Sequence, residues 1–200
     1  MMFWDKAAGA YDLFENIYNG KVNRQLCLEV EALVDQGDKV LECACGTGML
    51  SRYIAKRAKR LLATDFSVGM LRQAVKNCAA CDNIVFRRAD IMKLNCRDEM
   101  FDKAVAGNVI HLLDDPKGAL AELMRVCKPG GKVIIPTYVN RENSGSPDIL
   151  VKVIGKLGAG FRCQFDYAGY QKFFADAGYE NVEYRIVEGR MPCAIAVITK

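Results

Sequence analysis

The chain has 200 residues, 51% hydrophobic, 26% charged and 9% aromatic, the composition of one folded domain with a substantial core. Its 28 Lys and Arg against 24 Asp and Glu leave a net charge of +4, which excludes intrinsic disorder and the strongly basic footprint of a nucleic-acid binder. No apolar stretch approaches the roughly 18 residues of a membrane span, and Met1 to Lys6 lacks a basic region followed by an apolar one, so a cytoplasmic protein without stable membrane insertion is expected.

In chain order, Phe3, Ala7, Tyr11, Phe14 and Tyr18 recur in steps of three and four and predict a helix, continued by a second one over Val22 to Val34. Gly37-Asp38 stops it, and Lys39 to Cys43 reads as a short buried strand. The chain then alternates: helix Met49 to Lys56, strand Arg60 to Thr64, helix Ser67 to Cys78, strand Ile84 to Arg88, strand Phe101 to Gly107, helix Pro116 to Cys127. A turn at Lys128-Pro129-Gly130-Gly131 leads to a strand over Lys132 to Pro136. Strands alternating with helices imply crossover units, hence a mostly parallel sheet covered on both faces. Tyr138 to Phe165 is rich in Gly, Ser, Asn and Pro, with one short helical stretch near Ile149 to Leu157. Helix Tyr167 to Ala177 closes at Gly178. The strands Val182 to Val187 and Cys193 to Thr199, joined across Glu188-Gly189-Arg190, are close enough only for an antiparallel hairpin.

The nine cysteines are an odd number and cannot all pair within one chain. Without an export signal they are read as free thiols, mostly small buried residues. Cys78 and Cys81 form a C-x-x-C, two ligands where a structural zinc site wants four, so no metal is assigned and the pair is kept as the one to test.

The chemistry gathers at Val40-Leu41-Glu42-Cys43-Ala44-Cys45-Gly46-Thr47-Gly48: a strand, an acid at its end, a glycine turn, a helix. Glycines there let backbone amides approach a ligand. A dinucleotide site would bring pyrophosphate to this turn, but Glu42 repels it and suits a cationic or amino-bearing ligand. The third glycine of G-x-G-x-x-G is replaced by Ser51. Asp65 ends the second strand, placed to accept both hydroxyls of a ribose. Asp90, followed by Ile91, ends the third and suits an adenine amino group and ring. Three acids thus stand along the carboxyl edge of the sheet, although each could instead cap the helix after it.

These residues resemble the class I S-adenosylmethionine-dependent methyltransferases over nearly the whole chain. The resemblance rests on residues 40 to 48, Ala-Thr-Asp-Phe-Ser-Val-Gly-Met-Leu at 63 to 71, Arg-Ala-Asp at 88 to 90, Phe101-Asp102, and the run from Ala121 to Gly131. Ala10-Tyr11-Asp12 and Asn108-Val109, ahead of the helix carrying Lys117 to Leu120, are similar to small-molecule enzymes of the ubiquinone/menaquinone-biosynthesis type. The resemblance implies a Rossmann-like, seven-stranded, mostly parallel sheet with helices on both faces and a C-terminal antiparallel hairpin. It divides the single domain into an N-terminal helical cap (1–36), a cofactor-binding core (37–137), a variable substrate-side segment (138–166) and a terminal helix and hairpin (167–200). It implies S-adenosyl-L-methionine held by Tyr11, Glu42, Ala44, Gly46, Thr47, Gly48, Asp65, Phe66, Met70, Asp90, Ile91 and Asn108, with Glu42 near the methionine amino group. The helical stripe alone reads Tyr11 equally as a core residue.

A sulfonium methyl is already activated, so the expected contribution of the protein is alignment of a small-molecule nucleophile and exclusion of water. If the acceptor must lose a proton, His111, the only histidine, and Tyr138 are the candidate bases. The O-, C-, N- or S-nucleophile is left open. A nicotinamide-dependent oxidoreductase and a binder of S-adenosylmethionine that has lost catalysis are the alternatives.

Overall fold

A computed structural model describes residues 19–140 and 165–200. Helix α1 covers 19–32. It is followed by β1 (Lys39–Cys43), α2 (Met49–Ile54), β2 (Arg60–Asp65), α3 (Val68–Asn77), β3 (Ile84–Arg88), β4 (Phe101–Ala106), a 3₁₀ turn (Ile110–Leu112) and α4 (Pro116–Val126). The remaining elements are β5 (Cys127–Tyr138), α5 (Tyr167–Asp176), β6 (Val182–Val187) and β7 (Cys193–Thr199). The helices expected over Phe3 to Tyr18 and near Ile149 to Leu157, with Tyr11 and Cys163, lie outside the described residues.

The strands form one sheet in the order β3-β2-β1-β4-β5-β7-β6. β1 to β5 run parallel, with Val40 beside Leu61 on one side and Lys103 on the other, and β7 runs antiparallel to both β5 and β6. This is the Rossmann-like sheet with its antiparallel hairpin. The period of two along each strand feeds two cores. Leu41, Ala104, Val133, Ile135 and Ala196 face α4 and α5, which contribute Leu120, Leu123, Tyr170 and Phe174. Val40, Val105, Ile134, Ile195 and Val197 face the other way, against Leu26 and Val30 of α1, Leu50 and Ile54 of α2, and Ala74 of α3. Strands buried on both sides cannot alternate apolar with polar, which is why they read as short apolar runs.

The helix starts are chemically marked. The Ser67 hydroxyl accepts from Met70 N at α3, Asp115 accepts from Gly118 N ahead of Pro116 at α4, and Asp166 accepts from Gly169 N at α5. Each cap satisfies an amide that the first helical turn leaves without a partner.

One expectation is corrected. Lys128 to Gly131 is not a turn ahead of a strand starting at Lys132; β5 begins at Cys127 and runs through these residues. Its pairing with β4 jumps from Phe101 beside Cys127 to Lys103 beside Lys132, so the extra residues bulge out of the ladder. Gly130 takes a left-handed φ of 74° and donates to Lys200 O at 2.7 Å, while Lys200 N donates to Gly131 O at 3.0 Å. A Cβ on Gly131 would stand 2.6 Å from Asp102 O. The two glycines therefore allow a tight bulge held by the far end of the chain, a partnership that local composition cannot reveal.

Candidate functional site

β1 lies between β2 and β4, so the connection out of β1 runs to one side and the connection into β4 returns to the other, opening a crevice at the carboxyl ends of these strands. There the turn after β1 carries positive φ at Ala44 (52°), Gly46 (56°) and Gly48 (87°). It is fastened to β2 by Cys45 N donating to Thr64 O at 2.9 Å and the Thr64 hydroxyl donating to Glu42 O at 3.1 Å. Both oxygens of Asp65 serve the same crossing: one accepts from Gly46 N and the other from Ser67 N, each at 2.8 Å. The Asn77 carboxamide of α3 donates to Thr47 O at 2.9 Å.

The result is a cavity of about 480 Å³, within the range of small-molecule sites. Ten of the expected residues line it: Glu42, Ala44, Gly46, Thr47, Asp65, Phe66, Met70, Asp90, Ile91 and Asn108. Cys45, Met49, Leu50, Ala89, Gly107, Val109 and Leu112 to Asp114 complete the wall. Of the three described non-glycine residues with positive φ, Ala44 and Asn108 stand here, a concentration of backbone strain typical of sites where geometry serves a ligand.

Glu42 is 1% exposed. The Ser51 hydroxyl donates to it at 2.5 Å, yet burial, with a smaller push from the Asp65 carboxylate, raises its pKa from the ordinary 4.5 to about 8. No described Lys, Arg or His forms an ion pair with Glu42. The wall is therefore acidic along β1 to β3, built for a ligand that brings a cation and hydroxyls. Asp90 accepts from Met92 N at 2.9 Å, so part of its capacity goes to the local turn.

Other expected residues stand elsewhere. Gly48 does not line the cavity; it faces α3, where a Cβ would come 2.8 Å from Cys78 Sγ and 3.3 Å from Ala74 Cβ. Its need for glycine is thus both conformational and steric. Gly48→Ala should cost about 3 kcal/mol, from a left-handed residue and an overpacked contact. Gly46→Ala, with open space at its Cβ position, should cost about 1–2 kcal/mol. Urea denaturation of the two variants checks the order, and equal losses would remove the Cys78 contact from the explanation. Cys78, whose thiol donates to Gly48 O at 3.6 Å, is a packing residue of this turn. Among the described residues no group of three or more His, Cys, Asp and Glu is placed to hold a metal.

The two candidate bases are also off the wall. His111 sits in the 3₁₀ turn, 8% exposed, its pKa pushed down to about 4 by burial. Three residues per turn aim successive side chains about 120° apart, so Leu112 reaches the cavity and His111 does not. The Tyr138 hydroxyl donates to Asn23 Oδ1 of α1 at 2.5 Å and likewise lies outside the lining set. Sequence reasoning missed Leu112 to Asp114. Their signal was position: they sit just past β4, at the same carboxyl edge as the acids.

Residues 41–135 match the Methyltransferase domain family. The demethylmenaquinone methyltransferase of Thermobifida fusca is 33% identical over 208 residues, covering 91% of this chain and 86% of its own. The ubiquinone/menaquinone biosynthesis C-methyltransferase of Bdellovibrio bacteriovorus is 32% identical over 178 residues, 76% of this chain and 74% of its own. Among solved structures, the DhpI complex with SAH is similar with a TM-score of 0.75 over 98% of this chain and 94% of that one; at 20% identity it speaks to the fold alone.

Proposed function

Because this chain belongs to the S-adenosylmethionine-dependent methyltransferases acting on small molecules, we propose that its acceptor is an apolar hydroquinol methylated at a ring carbon. The relatives named for demethylmenaquinone and ubiquinone/menaquinone biosynthesis support this acceptor class. So does the apolar lining contributed by Met49, Leu50 and Val109.

The observation that carries the cofactor assignment is Glu42, buried in the cavity wall with no cation paired to it among the described residues. Bound in this cavity, S-adenosylmethionine supplies a methyl on a sulfonium, already activated for displacement. Glu42 holds the methionine ammonium. Asp65 has one oxygen on each of two amides, and its remaining lone pairs accept from the ribose hydroxyls. Asp90 accepts from the adenine amino group, and Ile91 with Leu112 and Leu113 packs the ring. Ala44 and Gly46 bring backbone close along the methionine arm, and Met70 and Phe66 close the outer side. What remains for catalysis is orientation and exclusion of water, and neither requires a protein nucleophile.

Two measurements test this reading. S-Adenosylhomocysteine at a hundredfold excess over its Kd should stabilise the chain by about 2.7 kcal/mol, a Tm rise of roughly 5–10 °C for this size; stabilisation by NAD and not by S-adenosylhomocysteine would overturn the cofactor assignment. Incubation with methyl-labelled S-adenosylmethionine and a demethylmenaquinol bearing a short prenyl tail should give a ring-methylated product. Transfer only to amines or thiols would replace the acceptor class.

A further inference from the structure

Asn108 follows β4 and is held in the left-handed region at φ 52°. Two contacts fix it against β5. Its backbone N–H donates to Pro136 O at 2.8 Å, and its Oδ1 accepts from Tyr138 N at 3.0 Å. The second contact settles how the carboxamide is turned: an amide N–H can only donate, so the atom facing Tyr138 is the oxygen. The Nδ2 group, with two donors, is left on the cavity side, and no described residue accepts from it. Asparagine tolerates this backbone better than most residues, yet the strained conformation is maintained only because both contacts over-determine it.

The flank matters. Glu42 and Asp65 lie at the ends of β1 and β2 and Asp90 just past β3, whereas Asn108 follows β4 on the other side of β1, beside β5. A cofactor held along Glu42, Asp65 and Asp90 would leave the flank beside β4 and β5 for an incoming nucleophile. Resting on the hydroquinol reading above, we propose that the Asn108 Nδ2 group donates to the hydroxyl oxygen of the acceptor, holding the ring carbon in line and favouring the ionised hydroxyl. In the step itself the hydroxyl proton leaves to water and the ring carbon forms the new C–C bond. The methyl–sulfur bond breaks with its electron pair passing to sulfur. The ring proton then leaves to water as the ring regains its hydroxyl proton, so one proton is released overall. A donor aimed at an oxygen that carries charge is the kind of contact whose removal costs catalysis more than binding.

The test compares wild type with Asn108→Gly, which removes the carboxamide, keeps the backbone N–H to Pro136 and suits the left-handed φ, and with Asn108→Asp, which turns donors into an acceptor. The probe is the short-tailed demethylmenaquinol with methyl-labelled S-adenosylmethionine, alongside calorimetric titration of S-adenosylhomocysteine. Asn108→Gly should lower kcat/KM for the quinol by about 100-fold, with the rise of its pH–rate profile displaced to higher pH and S-adenosylhomocysteine affinity kept within about twofold. Asn108→Asp should fall further through repulsion of the ionised hydroxyl. A parallel loss of S-adenosylhomocysteine affinity would place the carboxamide on the cofactor and overturn the inference, as would an undiminished rate. A wild-type chain that binds S-adenosylhomocysteine but leaves the quinol unmethylated would overturn the acceptor reading first, and this inference with it.

Discussion

Binding of S-adenosylhomocysteine at pH 7 should release close to one proton, and its affinity should fall by up to tenfold for each pH unit below about 8. The cause is Glu42. Its neighbours are the Ser51 hydroxyl of α2, which favours the charged form, and the Asp65 carboxylate of β2, which opposes it, while burial dominates both. The thiols of Cys43 and Cys45 on its own strand and turn are driven upward by burial and stay neutral, so they supply no charge. In the empty cavity Glu42 is therefore a neutral acid at pH 7. An ammonium placed against it favours the carboxylate, and the proton must go to solvent. Above pH 8 the proton has already left, and affinity should level off. The sign for stability is opposite. A carboxyl raised from 4.5 to about 8 disfavours the fold progressively as pH rises through that window. The loss is absent below the lower value and complete above the upper one, on the order of 5 kcal/mol. Glu42→Gln should thus bind weakly at every pH, without slope, and should be more stable than wild type at pH 8 in the absence of ligand. Calorimetry in two buffers of different ionisation enthalpy counts the proton. An affinity independent of pH between 6 and 8, with no proton released, would mean Glu42 is ionised before the ligand arrives.

The parallel half of the sheet was legible because its strands are short apolar runs ended by chemically distinctive residues, Glu42 and Asp65 among them, and alternate with helices. Each signal is local, and each survives folding unchanged. The bulge in β5 was illegible for the opposite reason. Lys128 to Gly131 has the composition of a turn, and only its distant partners Lys200 and Asp102 make it part of a strand. The same division runs through the site. Acids and glycines at strand ends were readable, since the sheet's carboxyl edge collects them whatever packs around it. His111 and Tyr138 were chosen for their chemistry, but orientation decided their fate: one lies on the inner side of a three-residue turn, and the other gives its hydroxyl to α1. Leu112 to Asp114 carry no period, and α4, whose start they lead into, sets which way they face.

Asp65 should be the residue whose loss is felt in both stability and binding, and the two effects can be separated. In Asp65→Ala, Gly46 N and Ser67 N lose their acceptor together. Two charge-assisted hydrogen bonds at about 1.5–3 kcal/mol each, partly replaced by water in the opened cavity, put the expected loss near 3 kcal/mol. Asp65→Asn retains one carbonyl oxygen and can keep one of the two amides, so it should recover about half of that loss. Binding should not recover with it. An amide nitrogen cannot accept from a ribose hydroxyl, so S-adenosylhomocysteine affinity should drop about 100-fold or more in both variants, the value of two hydrogen bonds to a charged group. Urea denaturation and calorimetric titration read the two quantities independently. Wild-type affinity in Asp65→Asn would remove the ribose from this carboxylate, whereas unchanged stability in Asp65→Ala would show that other contacts hold the glycine turn. The variant also reaches Glu42. Asp65 is one of the groups that raise its pKa, so neutralising it lowers that value, and whatever binding remains should lose its pH dependence at lower pH than in wild type. A midpoint that stays near 8 would leave burial as the sole cause of the shift at Glu42.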